Sequence, residues 1–270
     1  MAFTQIRLLI SPCRSGSTAF MQSMAQNPLV HVFFQPLKEG IRENKGPNYS
    51  VFDGSHPAYQ QHPDKIFFIK ETFGHAFHEE CCFEVFPNQE VTRLSRPLFL
   101  LRDPVATWSS WKKLKAAGKK GWEGVCDFGL FKTAYQHTYD SFLKTKAISD
   151  KTTCITREHL LKNPNKAFQL ICRNWDIPFT ENMIAWKKQF DVNQISCSEG
   201  HQETFTRLQH KDMREATSFH AVESEKLNQQ LALVTQEERE EIEATLRPLH
   251  EKFTVWCEEY YPLGERIKSA

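Results

Sequence analysis

Short apolar runs recur along the chain and alternate with longer stretches of helical periodicity. The runs are Ile6–Ile10, Val30–Phe34, Ile66–Ile69, Leu98–Leu101 and, more weakly, Thr152–Thr156. Continuous apolar runs read as strands buried on both faces, and helical segments between them imply parallel crossovers. The pattern predicts an α/β protein: a P-loop-like central parallel sheet of about five strands flanked by helices, with a mostly helical half from about residue 123 onward. Helix starts are marked by Asp103-Pro104 and Asn163-Pro164, each an N-cap residue before Pro. Thr235 with Glu238 reads as a capping box before one long final helix ending near Tyr261. No repeat, low-complexity tract or linker divides residues 1–270, so a single domain is expected. Residues 190–220 are polar and weakly periodic, and read either as an ordered loop over a site or as a mobile surface segment.

The chemistry lies in the residues directly after each run. After Ile10 come Ser11-Pro12-Cys13-Arg14-Ser15-Gly16-Ser17-Thr18; after Ile69, Lys70-Glu71; after Leu101, Arg102-Asp103-Pro104; after Thr156, Arg157-Glu158. In a parallel sheet these positions share one edge, where ligands of open α/β sheets bind. Arg14, Lys70, Arg102 and Arg157 would gather there. Like charges crowded in this way need a counter-anion, so the pattern points to a ligand with more than one phosphate-like group. The competing reading is a set of separate surface ion pairs with Glu71, Asp103 and Glu158.

The first segment is the sharpest signal. A strand, a loop rich in Ser, Gly and Thr, and then a helix form a phosphate cradle, in which backbone N–H groups and the helix N-terminus face the anion. Gly16 allows close backbone approach. Ser15, Ser17 and Thr18 supply hydroxyls and Arg14 a forked cationic donor. It is not a Walker A loop, because the Lys after the second Gly is absent. A cysteine phosphatase would need Arg at position 19, where Ala19 stands, so Cys13 reads as a packing residue.

Charge and composition narrow the partners. There are 34 Lys plus Arg against 33 Asp plus Glu, a formal net charge of +1. That balance argues against a nucleic-acid partner, which calls for a large basic excess. No apolar run is long enough to span a membrane, and the first residues are too interrupted for a signal peptide, so a cytoplasmic protein is expected. The 8 Cys form no metal-ligand spacing and read as reduced thiols, so no metal is expected. Lys112, Lys113, Lys115, Lys119 and Lys120 read as a solvated helix face, or as a field attracting an anionic substrate.

With these motifs in view, the chain resembles the sulfotransferases that use 3′-phosphoadenosine 5′-phosphosulfate (PAPS). Residues 14–18 match that family's [Lys/Arg]-Ser-Gly-[Ser/Thr]-[Ser/Thr] loop for the 5′-phosphosulfate. Arg102 and Ser110 match its Arg and Ser for the 3′-phosphate, with Asp103-Pro104 between them. Thr156-Arg157-Glu158-His159-Leu160 is similar to the family's Tyr-Glu-Asp-Leu segment, with Arg157 and His159 in place of Tyr and Asp. Residues 174–179 look like the family's next stretch. Cys13 stands where the family often has Pro, and the Arg-Lys-Gly motif of cytosolic members is absent. The likeness is therefore better to bacterial-type small-molecule members, with a cyanobacterial secondary-metabolite pathway the expected setting.

The resemblance implies transfer of a sulfuryl group from PAPS to a hydroxyl or amine of a small-molecule acceptor, leaving 3′,5′-ADP. It implies that Arg14, Ser15, Gly16, Ser17, Thr18, Arg102, Ser110 and Arg157 hold the donor. Arg14 and Lys70 would serve catalysis, with His75 or Glu71 as the base, since Thr72 occupies the position where cytosolic members carry His. Gln35 and aromatics near Phe33, Phe34, Tyr49, Phe52, Tyr59, Phe73 and Phe77 are candidates to contact the acceptor, or else turn and core residues. A nucleotide kinase or hydrolase, and a non-catalytic 3′,5′-ADP-binding protein, are the alternatives.

Overall fold

The computed structural model describes residues 6–119, 122, 126–186, 194–197, 218–219 and 224–263. Its centre is one sheet of six parallel strands in the order β5-β4-β1-β3-β2-β6. These are β1 (Ile6–Pro12), β2 (Val30–Phe34), β3 (Ile66–Phe73), β4 (Arg96–Leu101), β5 (Thr153–Thr156) and β6 (Ile195–Ser196). All five expected strands are present. The sixth, β6, is a two-residue edge strand within the polar stretch 190–220, most of which lies outside the described residues.

The alternation of side chains explains why the strands read as unbroken apolar runs. Leu8, Ile10, Phe67, Ile69, Phe99 and Leu101 face one core, shared with Trp108, Trp111, Phe131 and Phe253. Leu9, Val32, Phe68, Leu98, Leu100 and Ile155 face the other, shared with Phe20, Met24, Phe168 and Trp175.

The helices that bear on the site are α1 (Ser17–Ala25), α2 (Pro36–Arg42), α3 (Pro104–Ala116), α4 (Phe128–Ile148), α5 (Arg157–Lys162), α6 (Pro164–Trp175), α7 (Ser224–Leu231), α8 (Gln236–Thr245) and α9 (Arg247–Tyr260). The expected caps form. Asp103 Oδ1 accepts the Ala106 N–H at 2.8 Å, and Asn163 Oδ1 accepts the Lys166 N–H at 3.0 Å. Thr235 and Glu238 close a reciprocal capping box. The single long final helix is instead two helices meeting at Leu246. Pro248 stands at the start of the second, where its ring would clash with the preceding turn of a continuous helix.

Strand β1 is the topological switch point. It pairs with β3 on one side and β4 on the other, so the segments leaving β1 and β4 diverge and open a crevice beyond their carboxyl ends.

Candidate active site at the switch point

The segment leaving β1 turns through two left-handed residues, Arg14 (φ 74°) and Gly16 (φ 97°), before α1 begins at Ser17. A left-handed Arg is unusual and costs conformational energy, which the surroundings offset by strapping the loop down. Trp111 Nε1 donates to the Cys13 carbonyl at 2.9 Å, and Arg102 Nη1 donates to the Arg14 carbonyl at 3.3 Å. Gly16 is required twice over. Its φ disfavours a side chain, and a Cβ there would lie 3.2 Å from Cδ of Arg157.

The same contact places Arg157 against the loop. Arg14 Nε donates to Ser110 Oγ at 3.1 Å. The segments after β1, β4 and β5, which are far apart in sequence, thus bring Arg14, Arg102, Ser110 and Arg157 together around one turn. Arg102 is buried, and burial together with Arg157 and Arg14 lowers it to about 9, against the opposing pull of Glu158 and Asp103. Desolvation by the packed loop and Arg157 likewise lower Arg14, against the pull of Cys13, although part of Arg14 is open to solvent.

The acids that come after the arginines in sequence stay close enough to act on them but form their ion pairs with other residues. Asp103 pairs with Arg247 at 2.6 Å. Glu158 pairs with His250 at 3.5 Å and accepts the Asp103 N–H at 3.1 Å. Asp103 and Glu158 thus sit in separate pairs, but with Arg247 and His250 rather than with Arg102 and Arg157. Arg157 Nε and Ser15 Oγ are buried with no hydrogen-bond partner among the described residues. A bound anion would satisfy both. Ser17 is buried and Thr18 half-buried at the start of α1.

Beside this turn lies a cavity of about 360 Å³ lined by Arg102, Arg157, Leu231, Arg239 and Arg247, among others. Arg239 and Arg247 carry no sequence signal; only the packing of α8 and α9 under the crevice brings them in.

Lys70 and Glu71 do not follow β3, as the run Ile66–Ile69 suggests, but lie inside it, because the strand continues to Phe73. The run ends early only because a buried strand carries polar residues near its functional end. Lys70 Nζ sits 4.1 Å from the centroid of Phe34. Burial lowers the amine to about 7, Lys38 and Arg14 adding to the effect while Cys13 and Glu71 oppose it. Glu71 projects to the other side of the strand, where its Oε1 accepts the Leu37 N–H at 2.8 Å. Burial raises its carboxyl to about 8 against that bond and against Lys70 and Lys38.

His75 stacks flat on Trp122, with ring centroids 3.6 Å apart and planes 1° apart, and bonds to Cys13. Cys13 packs against the core, as expected, but its thiol also meets polar partners. Its Sγ lies 3.4 Å from Lys38 Nζ, 3.4 Å from Thr72 Oγ1 and 3.0 Å from the Gly74 carbonyl. Burial alone would raise the thiol, but Lys38 and His75 outweigh it and bring it down to about 5.

A second cavity, of about 860 Å³, opens beyond β2, with Phe33, Phe34, Tyr49, His31, His56 and His62 among its walls. Of the aromatics expected around an acceptor, Phe33, Phe34 and Tyr49 line it. Phe52 and Phe73 are core residues, Tyr59 packs on Phe67 and donates to the Val51 carbonyl, and Phe77 is exposed. Gln35, left-handed at φ 53°, donates to Thr72 Oγ1. Of the basic run, Lys112 pairs with Glu238 at 2.7 Å, Lys113, Lys115 and Lys119 are exposed, and Lys120 lies outside the described residues. Among the described residues no group of three or more His, Cys, Asp or Glu is placed to hold a metal, and no helix is long and apolar enough to cross a membrane.

No protein-family model matches the chain, and no curated protein matches it. Solved structures do. A mouse sulfotransferase, SULT7A1, complexed with PAP, superposes with a TM-score of 0.53 at 11% identity, covering 97% of this chain and 90% of that one. The sulfotransferase from Alicyclobacillus acidocaldarius gives 0.49 at 9% identity, covering 93% and 94%. The sulfotransferase domain of the Synechococcus PCC 7002 olefin synthase gives 0.47 at 13%, covering 84% and 93%. The chain has the sulfotransferase fold.

Proposed function

We propose that the protein is a PAPS-dependent sulfotransferase that moves a sulfuryl group to a hydroxyl or amine of a small-molecule acceptor. One observation carries the reading. Arg14, Arg102 and Arg157 converge on a left-handed turn at the switch point while the nearby acids Asp103 and Glu158 are held by Arg247 and His250. Such a cluster suits a ligand with two separated anionic groups.

In this reading the turn 14–18 takes the 5′-phosphosulfate and Arg102, Ser110 and Arg157 take the 3′-phosphate. Transfer is an in-line displacement in which negative charge spreads over the sulfuryl oxygens and the bridging oxygen, as in phosphoryl transfer. Arg14 stabilises that charge, and positioning supplies most of the rest. A base near Lys70, Glu71 and His75 takes the acceptor proton, and 3′,5′-ADP leaves. No metal is required by this scheme. The cavity beyond β2 is the place for the acceptor, and a cytoplasmic role in secondary metabolism is the setting proposed.

The test is incubation of the protein with PAPS and a metabolite extract, followed by mass spectrometry for a gain of one SO₃. Calorimetry with 3′,5′-ADP runs in parallel. Binding with a sulfated product supports the reading. Binding with no product over a broad acceptor panel favours a non-catalytic nucleotide-binding protein, and ATP turnover with no 3′,5′-ADP binding favours a kinase or hydrolase.

A further inference from the structure

We infer that Lys70 itself is the base that takes the proton from the acceptor, and that Glu71 and His75 are positioning residues. This assignment rests on the sulfotransferase reading.

Three observations about side-chain placement lead to it. Glu71 leaves the opposite side of β3 and is bound to the N-terminus of α2 through the Leu37 N–H. His75 is buried, pressed face to face on Trp122 and bonded to Cys13, so its ring is fixed as part of the wall behind the loop. Lys70 alone of the three links the two halves of the site. On one side its Nζ packs over Phe34, which lines the large cavity beyond β2. On the other it interacts with Arg14 and Cys13, at the turn that would hold the phosphosulfate.

The surroundings of Lys70 leave its lone pair free near neutral pH. A buried ammonium is ordinarily matched by a carboxylate. Among the described residues none lies within ion-pair distance of Lys70. The charged and titratable groups that act on it are Lys38 from α2, Arg14 and Cys13 from the turn after β1, and Glu71 on its own strand. Burial with two cations beside it holds the amine near neutrality, while bulk amines are protonated at pH 7. A nearby anionic donor pulls the amine back toward its charged form, so turnover climbs as pH rises from neutral to mildly alkaline.

The step balances. The acceptor oxygen or nitrogen forms a bond to the donor's sulfur as its proton passes to the neutral Nζ. The bond from sulfur to the bridging oxygen breaks, and 3′,5′-ADP leaves with the electron pair. Lys70 is left as an ammonium and loses its proton to solvent after product release.

The assignment is tested with water as the acceptor, by monitoring release of 3′,5′-ADP from PAPS, and then with any acceptor found by the mass search. Lys70→Arg keeps a cation but has no accessible neutral form. Lys70→Ala leaves room for a small amine. Both variants are expected to bind 3′,5′-ADP within about fivefold of wild type and to lose about 10²-fold or more in turnover. Methylamine is expected to restore Lys70→Ala in proportion to its free-base concentration and to leave Lys70→Arg inactive.

A Lys70→Arg variant within tenfold of wild-type turnover overturns the assignment. So does a Lys70→Ala variant that binds 3′,5′-ADP but gains nothing from methylamine. Loss of 3′,5′-ADP binding in both variants also overturns it, since Lys70 then acts in holding the donor. A wild-type protein that neither binds 3′,5′-ADP nor consumes PAPS overturns the sulfotransferase reading, and the assignment with it.

Discussion

Two cationic clusters stand on either side of the turn after β1, and they are built in opposite ways. Behind the turn, Lys38 and Arg42 close on one carboxylate: Glu80 lies 3.5 Å from Lys38 Nζ and accepts from Arg42 Nη2 at 3.2 Å. Glu80 is wholly buried, and it also accepts the His75 N–H at 3.0 Å. In front of the turn, Arg14, Arg102 and Arg157 crowd together while Asp103 and Glu158 are taken up by Arg247 and His250. With Glu39 3.5 Å from Arg42 Nη1 as a second carboxylate, the rear cluster is internally neutralised and holds the fold. The front cluster brings three guanidinium groups together with no carboxylate within ion-pair distance of them among the described residues, and Glu158 and Asp103 act on Arg102 only from further off.

Four substitutions probe that contrast. The largest effect falls on stability. Glu80→Gln leaves Lys38 and Arg42 facing a neutral group in the core, a change expected to cost about 3–5 kcal/mol, read by chemical denaturation. Lys38 and Arg42 overcome the opposing effect of burial and lower Glu80 to about 2. A carboxylate lowered on folding stabilises the protein above its unfolded value, near pH ~4.3. That contribution is lost as pH falls from there toward 2, so wild-type unfolding should steepen across this window and the variant's should not.

Arg14→Ala should leave the unfolding transition almost unchanged and lower sulfuryl transfer by about 10²–10³-fold, the size of losing one donor to developing charge. An equally large loss of stability would place Arg14 with the rear cluster. Arg102→Ala should weaken 3′,5′-ADP binding by about 1.5–3 kcal/mol, the range for a hydrogen bond to a charged group. Binding of 5′-AMP, which lacks the 3′-phosphate, should change far less, and competition calorimetry reads the difference. An equal loss for both nucleotides would remove Arg102 from the 3′ site. The smallest effect is Gly16→Ala, expected to destabilise by about 1–2 kcal/mol through its left-handed backbone and contact with Arg157. A matching fall in nucleotide affinity would show that the turn and Arg157 act as one unit.

Much of this is legible from residue order. The strands stand out as apolar runs because a parallel sheet covered on both faces needs hydrophobic side chains on every position. The turn after β1 stands out because a left-handed residue beside an incoming guanidinium admits little but Gly. The spacing of Arg102 and Ser110 is readable because both belong to a capped strand-to-helix junction, while the bond from Arg14 to Ser110 is set by packing.

Other features carry no such signal. The run Ile66–Ile69 hides the last half of β3, since Lys70 and Glu71 look like loop residues until their neighbours are known. A proline two residues into α9 splits a helix that reads as continuous. Cys13 reads as packing alone because its polar partners Lys38, Thr72 and His75 come from other segments. Arg239 and Arg247 look like surface charges on helical faces.

Local sequence sets which elements form and where the chain turns, because strand patterning, caps and left-handed positions depend on near neighbours. Which charges are neutralised and which stay open is fixed only when the elements pack. Coulomb energy and desolvation depend on distance and burial, and those are set by segments that meet across the fold, far apart in the chain.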